Sequence, residues 1–238
     1  MEAVVLAGGL GTRLRSVISE VPKPMAPVAN RPFLDYILHY LKKQGITRVI
    51  LAVGYKWEII RDHYNGVDAS FGIDIDYSIE DEPLGTGGAI FKAADKIIAN
   101  DFFIINGDTS FDIPLNELKT FATEKSAEIT IALKKISNSD RYGSVECSPD
   151  GRVISFKEKS PGNIVTQAEI NGGIYFMQKH LINKFNFPGK FSFETDFLQE
   201  NLPGIAAFAK AFDSTFIDIG IPEDYYRAQK IFENVIPI

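Results

Sequence analysis

The chain has 238 residues, of which 45% are hydrophobic and 24% are charged, a composition typical of an ordinary soluble globular protein. Its formal net charge of −6 argues against a general nucleic-acid-binding protein, which would normally be basic. Cys147 is the only cysteine, so the sequence excludes an intrachain disulfide and a zinc site built from several cysteines.

No apolar run approaches the ~20 residues that cross a bilayer, and the chain begins with an apolar strand rather than a basic-then-apolar leader. We therefore expect no membrane partner and a cytoplasmic location. A homo-oligomer stays open, because a single sequence does not identify an interface.

Strand and helix signals alternate along the first half of the chain. Continuous apolar runs predict buried strands at 2–8, 48–55 and 101–108, and an alternating pattern predicts a strand at 73–79. Helical spacing of apolar residues predicts helices at 32–45, 57–64 and 87–98. Alternation with short connections implies a mostly parallel sheet with helices on both faces.

After about residue 125 the strands follow one another with few helices between them. We predict strands at 127–136, 143–148, 152–159, 170–177, 206–212 and 215–220, and helices at 191–202 and 222–235. These strands are expected to add antiparallel or mixed pairs to the sheet. The prediction is one α/β domain over residues 1–238, with a smaller β-rich part in its second half.

Three glycines, Gly8, Gly9 and Gly11, follow the first predicted strand. A dinucleotide-binding fingerprint would need a third glycine at the end of G-x-G-x-x-G, and a P-loop would need a lysine after the last glycine, so neither pattern is complete. A loop of bare backbone amides, with Thr12 and Arg13 beside it, can instead approach a chain of phosphates. A tight strand-to-helix turn with solvated arginines is the alternative.

Lys23 lies between two prolines in the sequence PKPM at 22–25. The prolines restrict the backbone and hold the ammonium group in a limited region, which favours a charge clamp for a phosphate. The motif LAGGLGTRL at 6–14, followed by PKPM, resembles the signature of the sugar-1-phosphate nucleotidyltransferases, also called nucleotide-sugar pyrophosphorylases. Five further motifs extend the resemblance along nearly the whole chain: EPLGTGGA at 82–89, NGD at 106–108, FKEK at 156–159, NGGIY at 171–175 and IDIGIPEDY at 217–225.

The resemblance implies a reaction in which an oxygen of a sugar 1-phosphate attacks the α-phosphorus of a nucleoside triphosphate and expels pyrophosphate. The second pKa of a phosphate monoester is about 6, so the nucleophile is largely dianionic near neutral pH and needs no general base. This fits a chain whose histidines, His39, His63 and His180, lie in no recognisable catalytic motif. Metal and fixed cations must instead offset the negative charge.

The resemblance also implies a Rossmann-like nucleotidyltransferase fold of the GT-A-like type, with a central mixed, mostly parallel sheet flanked by helices. Residues up to about 125 would form the nucleotide-binding half, and about 126–238 the sugar-phosphate-binding half. In such sheets ligands bind at the carboxyl ends of the strands, where the motifs fall.

Two acidic residues follow apolar strands, Asp108 in FIINGD and Asp218 in FIDIG. Mg²⁺ takes hard oxygen ligands, typically one or two carboxylates with phosphate oxygens and water. By similarity to the family, Asp108 and Asp218 are the Mg²⁺ ligands. A carboxylate that caps a turn is the alternative for each.

The resemblance also assigns the remaining site residues. Arg13 would lie beside the departing pyrophosphate, Lys23 would neutralise the phosphates during transfer and Lys159 would hold the phosphate of the sugar. With Asp108 and Asp218 these complete the catalytic set. The implied nucleotide contacts are Leu6, Gly8, Gly9, Gly11, Thr12, Arg13, Glu80, Gly85 and Gly88. The implied sugar-phosphate contacts are Gly87, Asn106, Gly107, Gly143, Glu158, Lys159, Asn171 and Gly172.

Glu80 indicates the base of the nucleotide. In thymidylyl-type relatives a glutamine occupies this region, and its amide both donates and accepts hydrogen bonds, whereas a carboxylate only accepts. Guanine presents two donors on one edge, so we favour GTP. A solvated acid in the acidic stretch EDE is the alternative.

For the sugar, overall resemblance alone favours D-glycero-α-D-manno-heptose 1-phosphate, the substrate of one group of guanylyltransferases in this family. Mannose 1-phosphate with GTP is the second candidate, and glucose 1-phosphate with dTTP the third. A non-catalytic nucleotide-sugar sensor is the alternative of another class, but it would be expected to lack a metal carboxylate or a phosphate-binding lysine. A dinucleotide-dependent oxidoreductase is disfavoured by the incomplete fingerprint.

Overall fold

The computed structural model describes residues 1–9, 11, 14, 17–18, 20–66, 72–136, 144–157, 168–185 and 189–235. Its strands are β1 (Glu2–Leu6), β2 (Pro27–Val28), β3 (Arg31–Pro32), β4 (Arg48–Val53), β5 (Asp74–Ile79), β6 (Asp101–Asn106), β7 (Thr109–Phe111), β8 (Ile129–Ile136), β9 (Ser144–Cys147), β10 (Val153–Lys157), β11 (Ala168–Gln178), β12 (Ala207–Phe212) and β13 (Phe216–Asp218). Its helices are α1 (Phe33–Lys43), α2 (Trp57–Gly66), α3 (Gly85–Ala94), α4 (Leu115–Glu124), α5 (His180–Lys184) and α6 (Pro222–Phe232).

Four parallel strands form the part of the main sheet that comes from the first half of the chain. β1 lies between β4 and β6, and β5 lies outside β4. These strands are continuous apolar runs or alternating segments, as the sequence predicts, and helices cover both of their faces. Because the four strands run in one direction, their carboxyl ends meet at one edge of the sheet.

β11 joins the second half of the chain to the same sheet. One of its edges pairs antiparallel with β6, and the other pairs antiparallel with β8, which in turn runs parallel to β12. β9 and β10 add a further antiparallel pair beyond β11. The register between β11 and β8 shifts between Asn171 and Tyr175, which marks a bulge in β11. The predicted fold class, a mixed and mostly parallel central sheet flanked by helices, is confirmed.

Two apolar clusters lie on the two faces of the sheet. Helices α1, α2, α4 and α6 contribute to one cluster, and α3, α5 and a π-helical segment at Phe193–Gln199 contribute to the other. Within the described residues no helix combines the length and the apolar character that a membrane crossing requires.

Several short elements were not predicted from the sequence. Helix α4 buries only Leu115, Leu118 and Ala122, so its apolar stripe is too narrow to give a clear helical pattern. Helix α5 buries Leu181 alone. The two-residue strands β2 and β3 form a ribbon that depends on contacts with distant segments, and such contacts leave no periodic signal in the sequence.

His39 illustrates how packing affects the stability of this fold. It is buried in α1, and neither of its ring nitrogens has a hydrogen-bond partner among the described residues. Burial lowers the pKa of His39, and the nearby Lys43 and Lys42 ammonium groups act in the same direction. The folded protein therefore holds this imidazole in its neutral form.

Replacement of His39 by leucine is expected to stabilise the protein by about 1 kcal/mol at pH 7, because it removes an unsatisfied buried polar group. The unfolded chain protonates His39 below its usual pKa of about 6.5 while the folded chain resists protonation, so acidification favours the unfolded state. The difference in the free energy of unfolding between H39L and the wild type should thus increase from pH 7 to pH 5.5, as measured by urea unfolding. An advantage that shrinks on acidification would contradict the assignment.

Candidate active site

A cleft of about 600 Å³ opens at the edge where the parallel strands end. Its walls come from the first loop of the chain, the segment after β5, the start of α3 and the segment before the π-helix. Sequence-predicted residues that line it are Leu6, Gly8, Gly9, Gly11, Lys23, Glu80, Gly85, Asn106 and Asp108. The structure thus places most of the predicted nucleotide contacts around one cavity.

Backbone pairing brings the two predicted metal ligands together. β6 ends just before Gly107 and Asp108, and β7 then pairs antiparallel with β13 so that Thr109 lies opposite Asp218. The Ile219 amide donates a hydrogen bond of 3.0 Å to the Asp108 carbonyl. Two carboxylates that are far apart in sequence therefore project from adjacent backbone positions.

Lys23 lies between these carboxylates. Its Nζ is 2.5 Å from Asp108 Oδ2 and 3.5 Å from Asp218 Oδ1, and its side chain is only 10% exposed. Lys23 begins a short 3-10 turn, Lys23–Met25, that starts after Pro22 and contains Pro24. The fixed turn directs the ammonium group to the point where both acids converge.

Gly220 completes this cluster and was not among the residues singled out from the sequence. Its amide donates a hydrogen bond of 2.7 Å to Asp218 Oδ1. A Cβ atom at this position would lie 2.9 Å from Asp218 Oδ1 and 3.2 Å from Lys23 Nζ, so a side chain would displace the charged groups. The only signal for Gly220 in the sequence is its place in the motif IDIGIPEDY, two residues after Asp218.

The glycine loop passes close to two charged residues that line the cleft, Glu80 and Lys23. A Cβ atom on Gly8 would lie 2.9 Å from Glu80 Oε1, and one on Gly11 would lie 3.0 Å from Lys23 Cβ. Among the described residues, no atom lies within 4 Å of a Cβ placed on Gly9. A residue without a side chain is therefore required where the loop passes Glu80 and Lys23.

Glu80 follows β5, is half-buried and lines the cleft beside Gly8. Its Oε2 accepts a hydrogen bond of 2.9 Å from the Leu84 amide. Burial raises the pKa of Glu80 above its usual value, although the Leu84 amide and the Lys92 ammonium group act in the opposite direction. Among the described residues, Oε1 accepts no hydrogen bond and faces Gly8.

The glycines of EPLGTGGA begin α3 and pack against a neighbouring segment. Gly87 donates a hydrogen bond of 3.0 Å to the Phe191 carbonyl, and a Cβ atom on Gly87 would meet the Phe191 ring at 2.1 Å. Gly88 faces Leu84 and Gly189. Gly85 lines the cleft and the other two do not, and the ligand contacts predicted for all three stay predictions.

The predicted sugar-side residues fall into two groups. Asn106 lines the cleft, and Gly107 lies behind it, with its amide 2.9 Å from the Leu6 carbonyl. Asn171 and Gly172 lie in the bulge of β11 and do not line the cleft; Gly172 faces the ring of Phe111. The remaining predicted residues, Thr12, Arg13, Gly143, Glu158 and Lys159, lie outside the described residues.

Other cleft residues were missed from the sequence: Gly54, Tyr55, Thr86, Lys190 and Glu194. The sequence predicts only a helix for 191–202 and gives no sign that this segment carries Glu194 to the cleft wall. None of the three histidines lines the cleft. Burial, with Glu169 and Glu146 nearby, raises the pKa of the Cys147 thiol to about 11, which leaves this thiol protonated at neutral pH.

A family model described as "Nucleotidyl transferase" matches residues 2–235. The chain belongs to the nucleotidyl transferase family. This confirms the family resemblance read from the motifs, and as a nucleotidyl transferase the chain is an enzyme.

Two curated nucleotidyl transferases match over nearly their whole length. The D-glycero-alpha-D-manno-heptose 1-phosphate guanylyltransferase of Campylobacter jejuni is 52% identical over 227 residues, which cover 95% of this chain and 98% of that protein. The protein of the same description from Aneurinibacillus thermoaerophilus is 48% identical and covers 99% of this chain and 100% of its own length. Among solved structures, HddC from Yersinia pseudotuberculosis, complexed with GMP-PN, has a TM-score of 0.83 and 39% identity over 97% of this chain and 99% of that chain.

The acidic pair of this nucleotidyl transferase suits a divalent cation. Asp108 and Asp218 supply hard oxygen donors, and both already face a positive group, because the Lys23 ammonium lies within 3.5 Å of each. Within the described residues no third acid, histidine or cysteine joins them. Such a two-carboxylate set leaves the other ligand positions of a metal ion to substrate oxygens and water.

Proposed function

We propose that this enzyme joins D-glycero-α-D-manno-heptose 1-phosphate to GTP and releases pyrophosphate, with Mg²⁺ as cofactor. The observation that carries the proposal is the meeting of Lys23, Asp108 and Asp218 beside the glycine loop at the sheet edge. The two curated relatives described as guanylyltransferases of this heptose phosphate support the choice of substrates.

The residues of this chain would mainly position and neutralise charge. The bare amides of Gly8, Gly9 and Gly11 can approach the triphosphate, and Lys23 supplies a fixed positive charge. Asp108 and Asp218 would hold Mg²⁺, which when bound offsets negative charge on the phosphates. No proton needs to be removed from the attacking phosphate monoester, which fits a cleft without histidine.

Glu80 supports GTP as the nucleotide. Its carboxylate lines the cleft beside Gly8; Oε2 accepts a hydrogen bond from the Leu84 amide, and Oε1 faces Gly8. A carboxylate only accepts hydrogen bonds, and guanine offers N1–H and a 2-amino group on one edge. Burial raises the pKa of Glu80, so hydrogen-bond donors on a bound base would stabilise its charged form.

Replacement of Glu80 by glutamine is expected to lower kcat/KM for GTP about 10–100-fold and to improve dTTP and UTP relative to GTP. The amide would keep an acceptor for the Leu84 N–H but would present a donor to the base. Steady-state kinetics with each nucleotide measure the effect, and E82Q, at an exposed acid of the same turn, is the matched control. An unchanged order of nucleotides in E80Q would remove Glu80 from base recognition.

A substrate matrix tests the proposed function as a whole. GTP, dTTP, UTP, CTP and ATP are each combined with heptose, mannose, glucose and N-acetylglucosamine 1-phosphates, with and without Mg²⁺, and pyrophosphate release is measured. We expect the highest kcat/KM for GTP with the heptose phosphate, and no turnover after chelation of Mg²⁺. A clear dTTP preference would refute the nucleotide assignment, and binding without turnover across the matrix would favour a sensor.

A further inference from the structure

Glu194 extends from the π-helical segment to the wall of the cleft. Its Oε1 accepts a hydrogen bond of 2.9 Å from the Tyr175 hydroxyl. Its Oε2 accepts hydrogen bonds from Thr86 Oγ1 at 3.1 Å and from Ser192 Oγ at 3.3 Å. Groups on β11, on α3 and at the start of its own segment therefore hold this carboxylate in one place.

The support for Glu194 continues into the core. Tyr175 is fully buried in β11, and its hydroxyl accepts a hydrogen bond from Asn171 Nδ2. Asn171 Oδ1 in turn accepts a hydrogen bond of 3.0 Å from the Gly173 amide. Burial, together with Glu194, raises the pKa of Tyr175 well above its usual value, so the hydroxyl remains a donor to Glu194.

The partners of Glu194 are chemically uniform. Within the described part of the chain they are neutral hydroxyl groups, and no ammonium or guanidinium group pairs with this carboxylate. Two carboxylate oxygens offer about four acceptor positions, so the described contacts leave room for another donor. In a cleft for phosphorylated ligands, a carboxylate repels phosphate groups and accepts readily from hydroxyl groups.

Glu194 also belongs to the half of the protein that the sequence assigns to the sugar phosphate. It is hydrogen-bonded to Tyr175 of β11 and to Thr86 of α3, whereas Glu80, which follows β5, lies beside Gly8 of the glycine loop. The side chain of Asn171, whose predicted contact with sugar hydroxyls stays a prediction, is hydrogen-bonded to Tyr175 and to the Gly173 amide within β11. Its amide donates to the Tyr175 hydroxyl, which in turn donates to the cleft residue Glu194.

We propose that Glu194 is a specificity-determining residue that accepts hydrogen bonds from hydroxyl groups of the sugar 1-phosphate, and that Tyr175 and Asn171 position it. This inference rests on the proposed function and identifies the carboxylate that recognises the sugar hydroxyl groups.

The test compares E194Q with the wild-type enzyme. We expect kcat/KM for the sugar phosphate to fall about 10–100-fold, the range for loss of hydrogen bonds to a charged acceptor, with the KM for GTP unchanged. Mannose 1-phosphate and its 2-, 3-, 4- and 6-deoxy analogues show which hydroxyl is read. The wild-type enzyme should discriminate against one or two of these analogues, and E194Q should lose that discrimination.

E200Q is the matched control, because Glu200 is an exposed acid just after the same segment. It should retain the kinetics and the sugar preference of the wild type. Y175F tests the positioning role: the KM for the sugar phosphate should rise while the affinity for a non-hydrolysable GTP analogue stays the same. A melting temperature is measured for each variant, so that misfolding is recognised separately.

The outcomes separate the two proposals. If the wild-type enzyme releases pyrophosphate but E194Q keeps the wild-type discrimination among deoxy sugars, or changes only the KM for GTP, the role of Glu194 is refuted and the proposed function stands. If the wild-type enzyme turns over no sugar phosphate, the proposed function and this inference both fail.

Discussion

Replacement of Asp108 or Asp218 by asparagine is expected to lower kcat at least about 1,000-fold, because each change would remove a charged oxygen donor from the proposed Mg²⁺ site. The isosteric amide keeps the shape of the side chain, and the β7–β13 pairing that places both residues involves backbone atoms only. Both variants should therefore fold with a melting temperature near that of the wild type. Pyrophosphate release under saturating substrates measures the loss.

D213N is a suitable control for both variants. Asp213 is an exposed acid that pairs with Lys134 at the surface, five positions before Asp218 in the sequence. It should retain wild-type turnover. Turnover within tenfold of wild type in D108N or D218N would remove that carboxylate from the catalytic centre.

Replacement of Lys23 by methionine is expected to lower kcat about 100–1,000-fold, the typical effect of removing one fixed group that stabilises developing charge. It should also destabilise the metal-free protein by about 1–2 kcal/mol, because Asp108 and Asp218 would face each other without the ammonium between them. This value is reduced for the partial solvent exposure of both carboxylates.

The two effects of K23M have separate readouts. Mg²⁺ should raise the melting temperature of K23M more than that of the wild type, since the ion would replace the missing positive charge between the acids. K230M, at an exposed lysine of α6, should behave as the wild type in both measurements. A K23M variant with wild-type stability and no added response to Mg²⁺ would show that the ammonium does not hold the acids together.

The sequence predicted the framework of the site well because the framework depends on local signals. Apolar runs that end in glycine identified the parallel strands, and their common direction placed Gly8, Asn106 and Asp108 at one edge. The motif resemblance added Lys23 and Asp218, whose meeting with Asp108 depends on strand pairing between distant segments. Periodicity alone would not have paired β7 with β13.

The sequence is less informative about which groups a motif residue contacts within the fold. Asn171 belongs to a recognisable motif, yet its amide is used inside the bulge of β11, and the carboxylate that reaches the cleft is Glu194. Gly87 packs on Phe191, a contact that its motif does not indicate. In both cases a long-range contact determines what the residue touches, and a motif does not record such contacts.

The ribbon that follows Lys23 depends on the last helix of the fold. The Ala29 amide donates to Gln229 Oε1, 200 positions later, and Tyr225 donates through its hydroxyl to the Pro27 carbonyl. Asp218 likewise arrives on the last strand of the fold. During synthesis on the ribosome, the parallel strands can assemble long before α6 supports the ribbon that follows Lys23 and before Asp218 reaches Lys23. Nascent chains and products of premature termination would thus be catalytically inert, and activity would begin only once translation has passed α6.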